Sequence, residues 1–191
     1  MNNASKIAAL GPDLMRKLTS LDKDFMQLCW VVPDLDAAMA GWTQTTGIGP
    51  FFYFERVTFE NAIYRGKPSE FPNVSAAIAQ AGPLQIELVC QNDDRPSIFR
   101  EVVPAGKTGF HHVALYCTDY DRHVKTYAKA GSEVAFGGLM MGSRTCWVDT
   151  LRTLGFMVEL IEANPIAESV FAQFRAAAEN WDGSRPVRTL S

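Results

Sequence analysis

Two glutamates stand in the middle of apolar runs: Glu87 in Gln85-Ile86-Glu87-Leu88-Val89, and Glu159 in Met157-Val158-Glu159-Leu160-Ile161. A carboxylate buried in such a run is costly unless it is paired or holds a cation. Two of the three histidines, His111 and His112, lie side by side at the front of a third apolar run, Phe110 to Asp119. In a strand, neighbouring side chains point to opposite faces, so only one of them can face a given pocket. His112 is assigned to the pocket and His111 to a structural or exposed position on the other face. Gln27 opens a fourth run, Gln27-Leu-Cys-Trp-Val-Val.

The elements that must carry these residues repeat along the chain. With Gln27 laid over His112, Gln-Leu-Cys-Trp-Val-Val-Pro-Asp34-Leu-Asp36 matches His-Val-Ala-Leu-Tyr-Cys-Thr-Asp119-Tyr-Asp121. Each copy reads as a strand, an acidic helix start, a helix and a glycine stop at Gly47 or Gly131. Each ends on a strand with a central glutamate, Glu87 or Glu159. The expected fold is therefore α+β, two βαβββ modules with curved mixed sheets around a shared cleft. Residues 25–91 form the first module, 92–108 a linker, and 109–163 the second. Residues 1–24 are an N-terminal arm or short helix, and 164–191 a C-terminal helix and tail.

Within the first module, strands are expected over 25–32, 51–57, 74–81 and 84–90, with a short one near 62–65 and a tight turn at Gly82-Pro83. In the second, strands are expected over 110–117, 132–136, 146–149 and 156–162. Gly137-Gly138 and Met140-Met141-Gly142 read as a flexible loop, a lid or a connector. His123, on the charged helix beginning at Asp119, is expected to face solvent. Glu162, at a strand end, is assigned to the surface, and Glu55 to an exposed strand position with a smaller chance of pointing into the cleft.

Composition narrows the function. Of 191 residues, 47% are hydrophobic and 20% charged, as in a soluble globular protein, and a net charge of −3 offers no basic footprint for nucleic acid. No run is long enough to span a bilayer, and the first residues lack the apolar core of a secretory signal. The 4 cysteines lie in or beside apolar runs with no C-x-x-C pair, so they read as reduced structural thiols of a cytoplasmic protein.

Two glutamates, a histidine and a glutamine at repeat-equivalent positions suggest one site on the pseudo-twofold axis. Two carboxylates, an imidazole and an amide oxygen suit a divalent metal, with positions left for water or substrate. On these motifs, in this order and duplicated, the chain resembles the vicinal oxygen chelate superfamily over about residues 25–163. Within it, the similarity is to the glyoxalase I and methylmalonyl-CoA epimerase branch. The resemblance implies metal ligands at Gln27, Glu87, His112 and Glu159, with zinc first and nickel, cobalt or manganese as alternatives. The set looks like the zinc form of glyoxalase I. It departs from the epimerases, which more usually carry histidine and glutamine at the two first-module positions. No glutathione site is identifiable.

The chemistry common to both relatives is proton movement at a carbon next to a carbonyl. The implied activity is a metal-dependent isomerase, epimerase or lyase acting on a small carbonyl or thioester compound. Glu159 is the first candidate base and Glu87 the second. A non-catalytic small-molecule binding protein of the resistance type is the alternative. A ring-cleaving dioxygenase is disfavoured, because Gln27 replaces the first-module histidine that such iron sites use. Apolar faces on the end helices could support pairing into a homodimer, with neither nucleic acid nor membrane as a partner.

Overall fold

The computed structural model describes residues 25–190. The arm expected over 1–24 lies outside the described residues. Strand β1 (Phe25–Val31) leads into helix α1 (Leu35–Thr46), then β2 (Phe51–Phe54), β3 (Glu60–Tyr64), β4 (Lys67–Pro68), β5 (Val74–Ala81) and β6 (Leu84–Gln91). A short helix α2 (Ile98–Val102) precedes β7 (Gly109–Cys117), α3 (Tyr120–Lys129), β8 (Val134–Met140), β9 (Ser143–Val148), a turn of helix α4 (Leu151–Leu154) and β10 (Met157–Glu162). Helix α5 (Pro165–Ala178) and β11 (Val187–Arg188) end the described chain.

The repeat is visible in the sheet. Its order is β11-β2-β5-β6-β1-β7-β10-β9-β8-β3-β4, so the first strands of the two halves, β1 and β7, lie side by side and antiparallel at the centre. Each then pairs in parallel with the last strand of its own half, β6 or β10. The helix starts were written in carboxylates: Asp34 Oδ1 accepts from the Ala37 N–H at 2.9 Å, and Asp119 Oδ1 from the Arg122 N–H at 3.2 Å. Gly47 closes α1 in the left-handed region, φ 73°.

Alternation along the strands builds two faces. Ile86, Leu88, Val113, Leu115, Val158 and Leu160 face outward, where α1 covers the first half and α3 the second. Cys29, Val31, Val89, Trp147 and Met157 face inward and form a separate core with Phe99 and Phe136. That inner core is closed from above by the stretch between β2 and β5. It crosses from the first half to pair β3 with β8, the outermost strand of the second. Phe59 and Phe71 on this flap pack their rings against Phe136, and Phe59 also reaches Trp147.

Three local expectations are corrected. Gly137 and Gly138 are strand residues, not a loop. Gly138 suits the close approach of the flap: a Cβ there would stand 3.0 Å from the Glu60 carbonyl oxygen. The loop reduces to the turn Met141-Gly142, both with positive φ (52° and 74°), joining β8 to β9. His123 is buried rather than solvated, because the inward side of α3 includes His123 and Thr126 among its many polar residues. The polar segment after β6 contains α2, whose Ile98 and Phe99 are buried in the inner core. Among the described residues, no helix is long and apolar enough to cross a membrane.

Candidate functional site

Strand register places the four expected residues on the inner face in two adjacent rows. In one, Cys29 of β1 stands between Glu87 of β6 and His112 of β7, with Met157 of β10 beyond. In the next, Gln85, Gln27, Ala114 and Glu159 lie in line across the same strands. Paired residues share a face. Glu87 and His112 are thus diagonal neighbours of Gln27 and Glu159, the arrangement a pseudo-twofold between β1 and β7 generates.

The centre of the cluster is His112 Nε2. It lies 3.0 Å from Glu159 Oε2 and 3.3 Å from Glu87 Oε2. Although both oxygens are within ion-pair range, neither is aligned for a directed hydrogen bond, and this buried nitrogen has no hydrogen-bond partner. Ligand atoms of Glu87, His112 and Glu159 all lie within 4.8 Å of one another. Two carboxylates leave an excess negative charge in a buried place even when the imidazole is protonated. A divalent cation removes that excess and gives the orphaned nitrogen a partner, so the donor set fits one.

The electrostatics follow from this crowding. Burial alone would push the His112 imidazole down, but the Glu159 carboxylate, with Glu87 behind it, outweighs burial and holds it up at about 9. Burial raises the Glu159 carboxyl against the pull of His112, and the Glu87 charge raises it further. Burial, then the carboxylates of Glu87 and Glu159, push the Cys29 thiol well up.

Gln27 is buried, and its amide Nε2 donates to Gln85 Oε1 at 3.2 Å. Its possible ligand atom is therefore Oε1. Gln85 was not singled out in the sequence, although it sits two residues before Glu87, level with Gln27. Trp147 was also missed; its indole N–H lies 3.3 Å from His112 Nδ1. Glu55 is exposed and stands apart from the cluster. Glu162 is half-buried at the strand end and paired with Arg144, its Oε1 accepting from Arg144 Nη2 at 2.6 Å.

His111 needs a correction. It is fully buried and on the same side as His112, not opposite it. The register between β1 and β7 jumps from Cys29↔His112 to Trp30↔Phe110, leaving His111 as the extra residue of a β-bulge. The bulge brings both rings to the inner face, Nδ1 to Nδ1 at 2.7 Å, with the His111 ring against Phe99.

Above the carboxylates lies a cavity of about 30 Å³, lined by Glu87, Glu159, Phe59, Phe71, Phe99 and Trp147 among others. That is the volume of about one water molecule. None of the described residues lining it is cationic.

No curated protein matches the chain. Among solved structures, it is similar to methylmalonyl-CoA epimerase from Mycobacterium tuberculosis, with a TM-score of 0.56 at 19% identity over 79% of this chain and 95% of that one. A hypothetical protein from Bacillus halodurans gives 0.53 at 13% identity, over 74% and 94%. A variant Streptomyces coelicolor methylmalonyl-CoA epimerase in complex with 2-nitronate-propionyl-CoA gives 0.50 at 19%, over 77% and 98%. At these identities the likeness is one of fold. A family model matches residues 26–148, and on that match the chain belongs to the Glyoxalase/Bleomycin resistance protein/Dioxygenase superfamily.

Proposed function

We propose that this protein is a metal-dependent isomerase, epimerase or lyase that moves a proton at the carbon next to a carbonyl or thioester. The convergence of Glu87, Glu159 and His112 Nε2 within 4.8 Å carries the reading. Glu87, His112 and Glu159 would hold the cation, with Gln27 Oε1 as the fourth donor. Zinc is the first candidate, then nickel, cobalt or manganese. The cation, when bound, polarises the substrate oxygen and acidifies the adjacent C–H.

The chain's own residues do the rest. Glu159 is the first candidate base: a buried carboxylate loosely held beside the polarised oxygen can take a proton from the adjacent carbon. Glu87, on the strand from the other half, is placed to return a proton, so the pair could serve both faces of a planar intermediate. Phe59, Phe71, Phe99 and Trp147 exclude water from the reacting carbon. Since the cavity holds only about 30 Å³, the flap carrying Phe59 and Phe71 must shift to admit a substrate. With no cationic side chain in the lining, the group beside the reacting carbon should be apolar or bound through the metal.

The test is solvent deuterium exchange. The zinc-loaded protein, offered acyl-CoA thioesters and 2-oxoaldehyde adducts in deuterated water, should label the α-carbon of at least one class, and Glu159→Gln should abolish labelling while still folding. Metal binding without exchange in any class would leave a small-molecule binding protein. Iron with oxygen consumption would instead support ring cleavage.

A further inference from the structure

We infer that His111 is a positioning residue for His112. Through a one-way chain of hydrogen bonds from the Ile98 carbonyl, it keeps the proton of the neutral His112 ring on Nδ1 and leaves the Nε2 lone pair facing Glu87 and Glu159. This rests on the reading of His112 as a metal ligand.

The chain is fixed at its far end by an atom with no proton to give. The Ile98 carbonyl oxygen only accepts, so His111 Nε2, 3.0 Å away, must donate. A neutral imidazole has one N–H, which makes His111 Nδ1 an acceptor. His112 Nδ1, 2.7 Å from it, must then be the donor. The opposite assignment requires His111 to carry both protons. That would place a charge on a fully buried ring against Phe99, when the same charge on His112 would face two carboxylates.

Trp147 offers a competing donor, but its N–H is 3.3 Å from His112 Nδ1 and the histidine contact is 2.7 Å. A nitrogen that donates to His111 has no lone pair for the indole. Cys29 Sγ also lies within 4.8 Å of nitrogens of both rings, yet these are committed to each other and leave no second metal site there.

The backbone supplies the reason for the bulge. Without the register jump, alternation would put His111 on the outer face, out of reach of the inward His112 ring. The anchor is itself held. Ser97 Oγ donates to Gln91 Oε1 at 2.6 Å and accepts from the Arg100 N–H at 3.1 Å, which fixes the start of α2 and with it Ile98. A ligating histidine that donates its other N–H to a fixed acceptor is the arrangement that sets ring orientation in metal sites. Here the acceptor is a second imidazole, adjacent in sequence.

The experiment compares the full-length protein with His111→Phe, which keeps a ring but removes the acceptor, and His111→Asn, whose Oδ1 can accept at the Nδ1 position. Zinc affinity is read by chelator competition, and the His112 ring protons by NMR on protein carrying ¹⁵N-histidine. In the zinc-loaded wild type, a slowly exchanging proton is expected on His112 Nδ1. His111→Phe should weaken zinc binding by roughly 10–100-fold, and His111→Asn should recover most of that loss.

Unchanged affinity in His111→Phe, or a His112 ring protonated on Nε2 alone, would overturn the inference. If the wild type binds no zinc, the metal reading fails separately. The metal-free spectrum at alkaline pH then decides the tautomer directly: a proton on Nδ1 upholds the role of His111, and one on Nε2 rejects it. The wild-type spectrum decides in the same way if His111→Phe does not fold.

Discussion

In the first half of the site, Gln27 and Glu87 stand on β1 and β6; in the second, His112 and Glu159 take the equivalent places on β7 and β10. Beyond these positions the two halves diverge. Opposite Gln27 is Gln85, an amide that bonds it at 3.2 Å; opposite His112 is Met157, which is apolar and fully buried. The Glu87 side chain retains 16% of its exposure, against 4% for Glu159. His112 has His111 behind it, while Gln27 has no adjacent counterpart because Met26 precedes it. A duplicated frame thus carries a drier half with an imidazole and a more exposed half with an amide. On the proposed reading the drier half anchors the cation, and Glu87 lies nearer to the substrate's path.

Removing the anchor should have the largest effect. His112→Ala leaves two buried carboxylates without a partner, and should lower stability by about 3–5 kcal/mol in the metal-free protein as well as abolish metal binding. Chemical denaturation beside metal analysis checks both. Next come the two carboxylates, where the halves should separate. Glu159→Gln should reduce deuterium exchange by roughly 10²–10⁴-fold, and Glu87→Gln by less, in a single-turnover exchange assay. Equal losses would mean that the difference in burial has no chemical consequence.

Gln27→His makes the halves alike. It should raise zinc affinity several-fold by chelator competition, since an imidazole replaces an amide oxygen. Weaker binding would show that the Gln27–Gln85 pair, not the ligand type, governs that corner. The smallest effect lies at the rim. Arg144, bonded to Glu162, holds its carboxyl below the usual 4.5. A depressed carboxyl contributes stability above its unfolded value that is lost as pH falls through the folded one. The matching residue of the first half is Cys90. Glu162→Gln should therefore flatten the acid-side fall in melting temperature slightly, and Cys90→Ser should leave its slope unchanged.

Much of this frame could be read from the chain. The repeat located β1 and β7 and paired Glu87 with Glu159, because burying a carboxylate in an apolar strand leaves a strong mark. What could not be read depended on neighbours. Alternation within one strand put His111 opposite His112; the bulge that reverses this is a mismatch with β1, and a strand read alone does not contain it. Gly137 and Gly138 looked like a loop because glycine is rare in strands, yet both lie in β8, and at Gly138 the backbone of β3 leaves little room for a side chain. His123 looked solvated because α3 is rich in charge, and a polar helix hides which of its faces is inward. The flap that roofs the site was legible as loop composition with one short strand near 62–65; its pairing with β8 joins segments some seventy residues apart, roughly a span over which no local pattern operates.

On the proposed reading, Glu87, His112 and Glu159 form one cation site shared by the two halves. Metal content per chain of the purified protein, measured after equilibration with zinc and beside His112→Ala, tests it most directly. About one ion per wild-type chain, and a clear reduction in the variant, is the result the account predicts. A folded wild-type protein that takes up no zinc, nickel, cobalt or manganese, or a His112→Ala variant that holds as much as the wild type, would contradict it.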